Sequence, residues 1–212
     1  MSDSTANSST PPPAIVEIRE LIQAVGWTMP DHEHALRCGR FAAVIFDGLH
    51  GLLELAQTER SLTIAAATFH DVGYLRGGRD HHRKSFDLIR DAVDLPFSDG
   101  DRIVVAAAAR YHGHTVPNIE HAGFGEMTFA DQRRVRRIAA IVRLASALDA
   151  SHLRLIEDVE VDIDADGVRL TAIAANEPPI ERDRLREAAG GFEHLTQIPI
   201  QVDIVVRPGW PN

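Results

Sequence analysis

Between residues 14 and 155 the apolar residues recur at three- and four-residue steps, and from residue 159 they alternate. Such a chain must change architecture once along its length, from helices to strands. Ile15, Ile18, Leu21, Ile22 and Val25 set the first pattern, just after Pro11-Pro12-Pro13. Asp31 is placed to cap a long helix over Glu33 to Leu55, and Ser61 to cap a short one ending at His70-Asp71-Val72-Gly73. A turn at Gly77-Gly78 precedes a helix from about Ser85 to Val93, and Asp101 to Tyr111 gives another. From Thr128 an arginine-rich helix is expected to run to about His152.

The later texture differs. Val159 to Asp164 alternates, Asp166-Gly167 is a hairpin signal, and Val168 to Ile173 resumes the alternation. A helix over Glu181 to Phe192 and a strand over Ile198 to Val206 complete the chain. The expected fold is mainly α: a helical bundle followed by a small α+β tail of three strands and one helix. The domain division predicted is a disordered leader at 1–13, a helical domain at 14–155, an α+β extension at 156–207 and a tail at 208–212.

Composition narrows the function classes. No apolar run approaches the roughly 20 residues needed to span a bilayer, so no membrane partner is expected. The N-terminus lacks the basic and apolar regions of a signal peptide, which makes the cytoplasm the expected location. A net charge of −9 argues against a nucleic-acid polymer as partner. Arg133-Arg134 and Arg136-Arg137 then read as a solvated helix face. Cys38, the single cysteine, excludes an internal disulfide and reads as a packing residue, as do Trp27 and Trp210.

Eleven histidines remain to be explained, most of them at expected helix ends or in loops. His34 opens the long helix, His70-Asp71 closes the next, and His81-His82 precede the following one. His112, His114 and His121 fall in one loop. Asp149 continues the apolar stripe of Val135, Ile138, Val142 and Ala145. A carboxylate on that stripe needs a partner: a cation, an arginine or a metal. Imidazole with carboxylate oxygen suits a divalent transition metal, and a helical bundle can hold one in its core.

The order His34, His70-Asp71, Asp149 resembles the HD superfamily of metal-dependent phosphohydrolases. Phe69-His-Asp-Val-Gly-Tyr, Asp80 to Arg90, Ala109-Arg-Tyr-His, Val135 to His152 and Leu185 to Glu193 resemble a narrower group. That group is the HD-like C-terminal domain of the exopolyphosphatase and guanosine pentaphosphate phosphatase family, with coverage of about 14–206. The resemblance implies hydrolysis of a phosphoester or phosphoanhydride in a small, nucleotide-like substrate. It implies one divalent metal (manganese, iron, cobalt, nickel, zinc or magnesium) held by His34, His70, Asp71 and Asp149. Asp71, His82 and His112 are then the catalytic candidates, the two histidines as acid and base or as holders of a second metal. Lys84 and Arg110 are candidate phosphate contacts, and a homodimer is a possible partner state.

Two positions depart from the family pattern. The last acid of HD proteins follows an alanine, and that position is Ser146 here, with Asp149 one helical turn later. The His-Xaa-His before the serine reads His82-Arg83-Lys84. In full-length members the exopolyphosphatase chemistry belongs to actin-like domains with glycine-rich phosphate loops. No such loop occurs in these residues, so that activity is not expected to carry over. Two alternatives stand beside the hydrolase: a non-catalytic module binding polyphosphate, a nucleotide or a protein, and a purely structural helical protein.

Overall fold

A computed structural model describes residues 13–207. The helical part comprises α1 (Pro13–Val25), α2 (His32–Leu49), α3 (Glu59–Phe69), a 3-10 turn (Val72–Arg76), α4 (His81–Arg90), α5 (Asp99–Arg110) and α6 (Phe129–Ala147). It is followed by β1 (Ile156–Asp164), β2 (Gly167–Ala174), α7 (Pro179–Thr196) and β3 (Ile200–Val206). The protein is mainly α with a small α+β tail, as its periodicities predict. The predicted leader, apart from Pro13 at the start of α1, lies outside the described residues, as do the tail and Trp210.

Caps set several helix starts. The Asp31 carboxylate accepts from the His34 N–H, Ser98 from that of Asp101, and Thr128 from that of Asp131. Other ends depart from the expected bounds. Helix α2 stops at Leu49, and the chain then turns through Glu54 at φ 48° while Leu53 and Leu55 still enter the core. The apolar pattern there reports burial in a packed turn, which periodicity alone cannot separate from helix. Helix α4 begins at His81, so His81 and His82 occupy its first turn rather than a preceding loop. Helix α6 ends at Ala147, and the chain reverses past Asp149 with His152 at φ 59°.

The core is one apolar cluster through which Phe41, Phe46, Phe69 and Tyr111 of the helical part join Phe192 and Leu170 of the tail. Trp27 packs edge-on to Phe69 at 5.4 Å. The arginine run of α6 is more than a solvated face. Arg134 reaches Glu59 of α3 at 2.5 Å, Asp101 of α5 at 3.0 Å and Asp131 at 2.9 Å, cross-linking three helices. Strands β1 and β2 form an antiparallel hairpin with Asp164 opposite Gly167, whose φ of 132° suits glycine. Strands β2 and β3 pair in parallel, and α7 makes the crossover that a parallel pair requires. Among the described residues no helix is long and apolar enough to cross a membrane.

A small strap holds the end of α3 against α4. The Ser85 hydroxyl donates to the His70 carbonyl at 2.7 Å and accepts from the Gly73 N–H at 2.8 Å. A Cβ at Gly73 would collide with the His81 carbonyl oxygen and lie 2.6 Å from the Ser85 nitrogen. Both are backbone atoms of a helix and cannot yield separately. Gly73→Ala should therefore cost about 1–3 kcal/mol or more in a denaturant titration, as overpacking does. A variant as stable as the parent would mean that α4 can slide along α3.

Candidate metal centre

His34, His70, Asp71, His81, His82 and His112 converge on one cavity of about 320 Å³. They come from four elements: the start of α2, the end of α3, the start of α4 and the end of α5. The Asp71 carboxylate sits at the centre. Its Oδ1 is 3.4 Å from His81 Nε2 and 3.5 Å from His112 Nε2, and its Oδ2 is 3.5 Å from His70 Nε2 and 4.0 Å from His34 Nε2.

Each of these four imidazoles is held from behind through Nδ1. That of His70 lies 2.7 Å from the Ala67 carbonyl, that of His112 2.7 Å from the Ala109 carbonyl, and that of His81 3.3 Å from the Gly78 carbonyl. A carbonyl oxygen can only accept, so Nδ1 carries the proton in all three and Nε2 keeps its lone pair. His34 uses a carboxylate instead: its Nδ1 donates to Asp149 Oδ2 at 2.9 Å. Three lone pairs and an anion thus face inward around His34 Nε2, which lies 3.3 Å from His70 Nε2. Such a set calls for a positive charge among it: without a metal, the proton that His34 holds to a pKa of about 10 supplies it, and an ion bound there would displace that proton.

Asp149 occupies a different place from the one its motif position implies. Its second oxygen, Oδ1, accepts from Arg37 Nε at 2.7 Å, and the side chain is 1% exposed. With both oxygens engaged, it faces the outer nitrogen of His34 and not the centre. The sequence demanded a partner for this carboxylate, and the fold supplies an arginine and a histidine. The residue groups whose donor atoms approach within 4.8 Å of one another include His70–Asp71–His112, His34–Asp71–His152 and His81–His82–His112; none contains Asp149.

Three residues here were given no place in the site from sequence. His81 points Nε2 at Asp71. His152 stacks on His34 at 3.9 Å and lies 2.8 Å from Asp31 through Nδ1. Cys38 is wholly buried, with Sγ 3.5 Å from His34 Nε2, so it borders the site as well as packing the core. The Ser-His at 151–152 and the helical step from His34 to Cys38 were the available signals. Neither marks a site without the fold.

The expected phosphate contacts are placed elsewhere. Lys84 Nζ donates to the Arg76 and Gly77 carbonyls at 2.8 and 3.1 Å, closing the 3-10 turn. Arg110 lies over the rings of Phe86 and Tyr111 at 5.8 Å. Neither lines the cavity, whereas Arg143, Arg184, His114 and Ser146 do.

Electrostatics matches this division. Burial weighs against charge on His34, but Cys38 and Asp149 outweigh it and raise its pKa to about 10. Burial also weighs against charge on Asp71, yet the imidazoles of His70, His112, His81 and His34 hold it down at about 2. Burial lowers His82 to about 4, lowers His70, and puts His112 well below the usual imidazole value. The last three are neutral in the folded protein near pH 7, as ligands must be. Between pH 6.5 and about 4 the unfolded chain therefore binds more protons, and stability falls as pH falls. Melting temperature should drop through that window in metal-free protein, and His82→Asn should flatten the drop. A melting temperature flat from pH 7 to pH 5 would contradict the buried neutral imidazoles.

The donor chemistry fits a divalent cation, and one further observation agrees: His82 Nδ1 is buried with no hydrogen-bond partner. No curated protein matches the chain. A family model does, that of Ppx/GppA phosphatase, domain III, over residues 25–185. The match spans α2 through α6 with the sheet hairpin and the start of α7, and so takes in every histidine that lines the cavity. The chain therefore belongs to the Ppx/GppA phosphatase domain III family.

Proposed function

We propose that the protein is an HD-type, metal-dependent phosphohydrolase acting on a small phosphorylated, nucleotide-like substrate. The observation that carries this is the ring of Nδ1-anchored histidines with Nε2 turned toward one carboxylate. His70, Asp71, His112 and His34 are the residues that would hold the ion, with His81 beside them. Asp149 holds His34 through its outer nitrogen, the carboxylate–histidine arrangement that orients metal-ligating imidazoles. A divalent ion bound there supplies positive charge against the phosphoryl oxygens and acidifies a water.

The chain's own residues do the rest. His82, neutral above pH about 4 and lining the cavity, is the imidazole free to take the proton from the attacking water. Tyr74, stacked on His81 at 4.2 Å, keeps that imidazole turned toward Asp71.

The non-catalytic alternative draws on Ser146 and on the pairing of Asp149 with Arg37, which remove one acid from the ligand set. A screen of phosphorylated metabolites with manganese, iron, cobalt, nickel, zinc and magnesium separates the two. The hydrolase loses activity on chelation and regains it with a divalent ion. A chelated preparation as active as the loaded one would overturn the proposal, and metal-loaded protein inert on every substrate would favour the binding module.

A further inference from the structure

The side chains of the candidate metal centre stand at the junction of two cavities. His34, His70, Asp71, Tyr74 and His152 line the cavity of about 320 Å³ described above, and the same five line a second of about 230 Å³. Beyond those shared residues the two differ in chemistry. Arg143, Arg184, His112 and His114 face the first. Met29, Pro30, Ala35 and Thr68 face the second, and among the described residues no lysine or arginine lines it.

The approach to α2 builds this second cavity. Met29 and Pro30 lead into the Asp31 cap, while Ala35 of α2 and Thr68 of α3 supply more of the wall. Asp31 is the one charged group that the second cavity adds to the shared set, and both of its oxygens are engaged. Its Oδ1 accepts from the His34 N–H at 3.0 Å, and its Oδ2 holds His152 Nδ1 at 2.8 Å. His152 is thereby kept flat against the His34 ring. Across the junction Tyr74 leaves 45% of its surface exposed. A wall with a carboxylate and no added cation repels a second phosphate. A thioether, a proline ring and a methyl group suit an apolar one.

We propose that the second cavity receives the organic part of the substrate, and that the preferred substrates are phosphomonoesters whose alcohol carries a flat, uncharged ring. With the phosphoryl group at the shared histidines, the ring would lie against Met29 and Pro30. The free phosphoryl oxygens would then face the arginine side. This rests on the hydrolase proposal for calling the ring a leaving group, but the affinity of the cavity for a ring does not.

The test uses phenylphosphonate and methylphosphonate, which share one anionic head and contain no ester to cleave. Both are titrated calorimetrically into metal-stripped protein, and again into protein labelled with carbon-13 at its methionine methyls. Phenylphosphonate should bind about tenfold more tightly, as withdrawing one face of a ring from water gives. It should also shift the Met29 methyl signal and leave in place that of Met127, which lines neither cavity. Met29→Gln keeps the side-chain length and assigns the signal; it should remove most of the preference while methylphosphonate binds as in the parent. Phenylphosphonate bound no more tightly than methylphosphonate, or bound with the Met29 methyl unmoved, would overturn the inference. Failure of the hydrolase proposal would show separately, as no turnover of phenyl phosphate by metal-loaded protein, because the titrations need neither an ion nor bond cleavage.

Discussion

Replacing His70 and Asp71 together by alanine should leave a protein that folds but holds no divalent metal and hydrolyses nothing above background. Both residues stand at the junction of α3 with the 3-10 turn, and their removal takes away the central carboxylate with one of the imidazoles facing it. His34, His81 and His112 would then face a gap with no anion to draw a cation in. Elemental analysis of the parent should give about one metal per chain, and the variant none. Manganese at a hundred times its dissociation constant should stabilise the parent by about 2.7 kcal/mol and leave the variant's melting temperature unmoved. A double variant that retains its metal would move the ion to His81–His82–His112, the cluster among the described residues that the substitutions spare.

The second large effect belongs to Asp149. Substitution by asparagine keeps its shape but puts an N–H donor against either His34 Nδ1 or Arg37 Nε, which both already donate. Breaking a buried ion pair by removing one charge costs about 3–5 kcal/mol, because the other charge stays behind. For a chain of this size that is a fall of about 10 °C in melting temperature. Loss of an outer carboxylate from a ligating histidine lowers metal affinity about 10- to 100-fold. Both effects should appear in Asp149→Asn, by denaturant titration and by competition with a metal-sensitive dye. Wild-type metal affinity with lowered stability would make Asp149 a purely structural partner of Arg37. Unchanged values of both would contradict the packing of α2 against the turn after α6.

The two substitutions separate what the motif implies from what the geometry does. The HD pattern makes His34, His70, Asp71 and Asp149 equivalent as ligands. In the fold the first three face one point, while Asp149 stands on the far side of His34. A carboxylate on a buried stripe was legible as a group needing a partner. Which partner it takes depends on Arg37, far away in sequence and brought close only when α2 crosses the end of α6.

Lys84 and Arg143 make the same contrast in reverse. Lys84 sits where the family pattern has a histidine, which made it a candidate phosphate contact, yet its Nζ is spent on two carbonyls at the end of a 3-10 turn. Arg143 is one of many arginines on α6 and carries no signature. It differs from Arg134, with three carboxylate neighbours, only in having none. Sequence periodicity reports which face of a helix is buried and is silent on which charges meet there.

The amino-acid order by itself determined the succession of helices, the cap at Asp31, the change to strands near residue 156, and the placing of His70 and Asp71 at a helix end, whereas Ser61, expected as a cap, lies inside a helix that begins at Glu59. These follow from local forces: side-chain spacing, capping hydrogen bonds and turn chemistry act over a few residues. Tertiary structure alone decided that His81 joins the ring, that His152 stacks on His34, that Asp149 stands outside, and that Arg143 is left without an anion. Those outcomes depend on distances between segments far apart in the chain, and such distances are set by how the whole core packs.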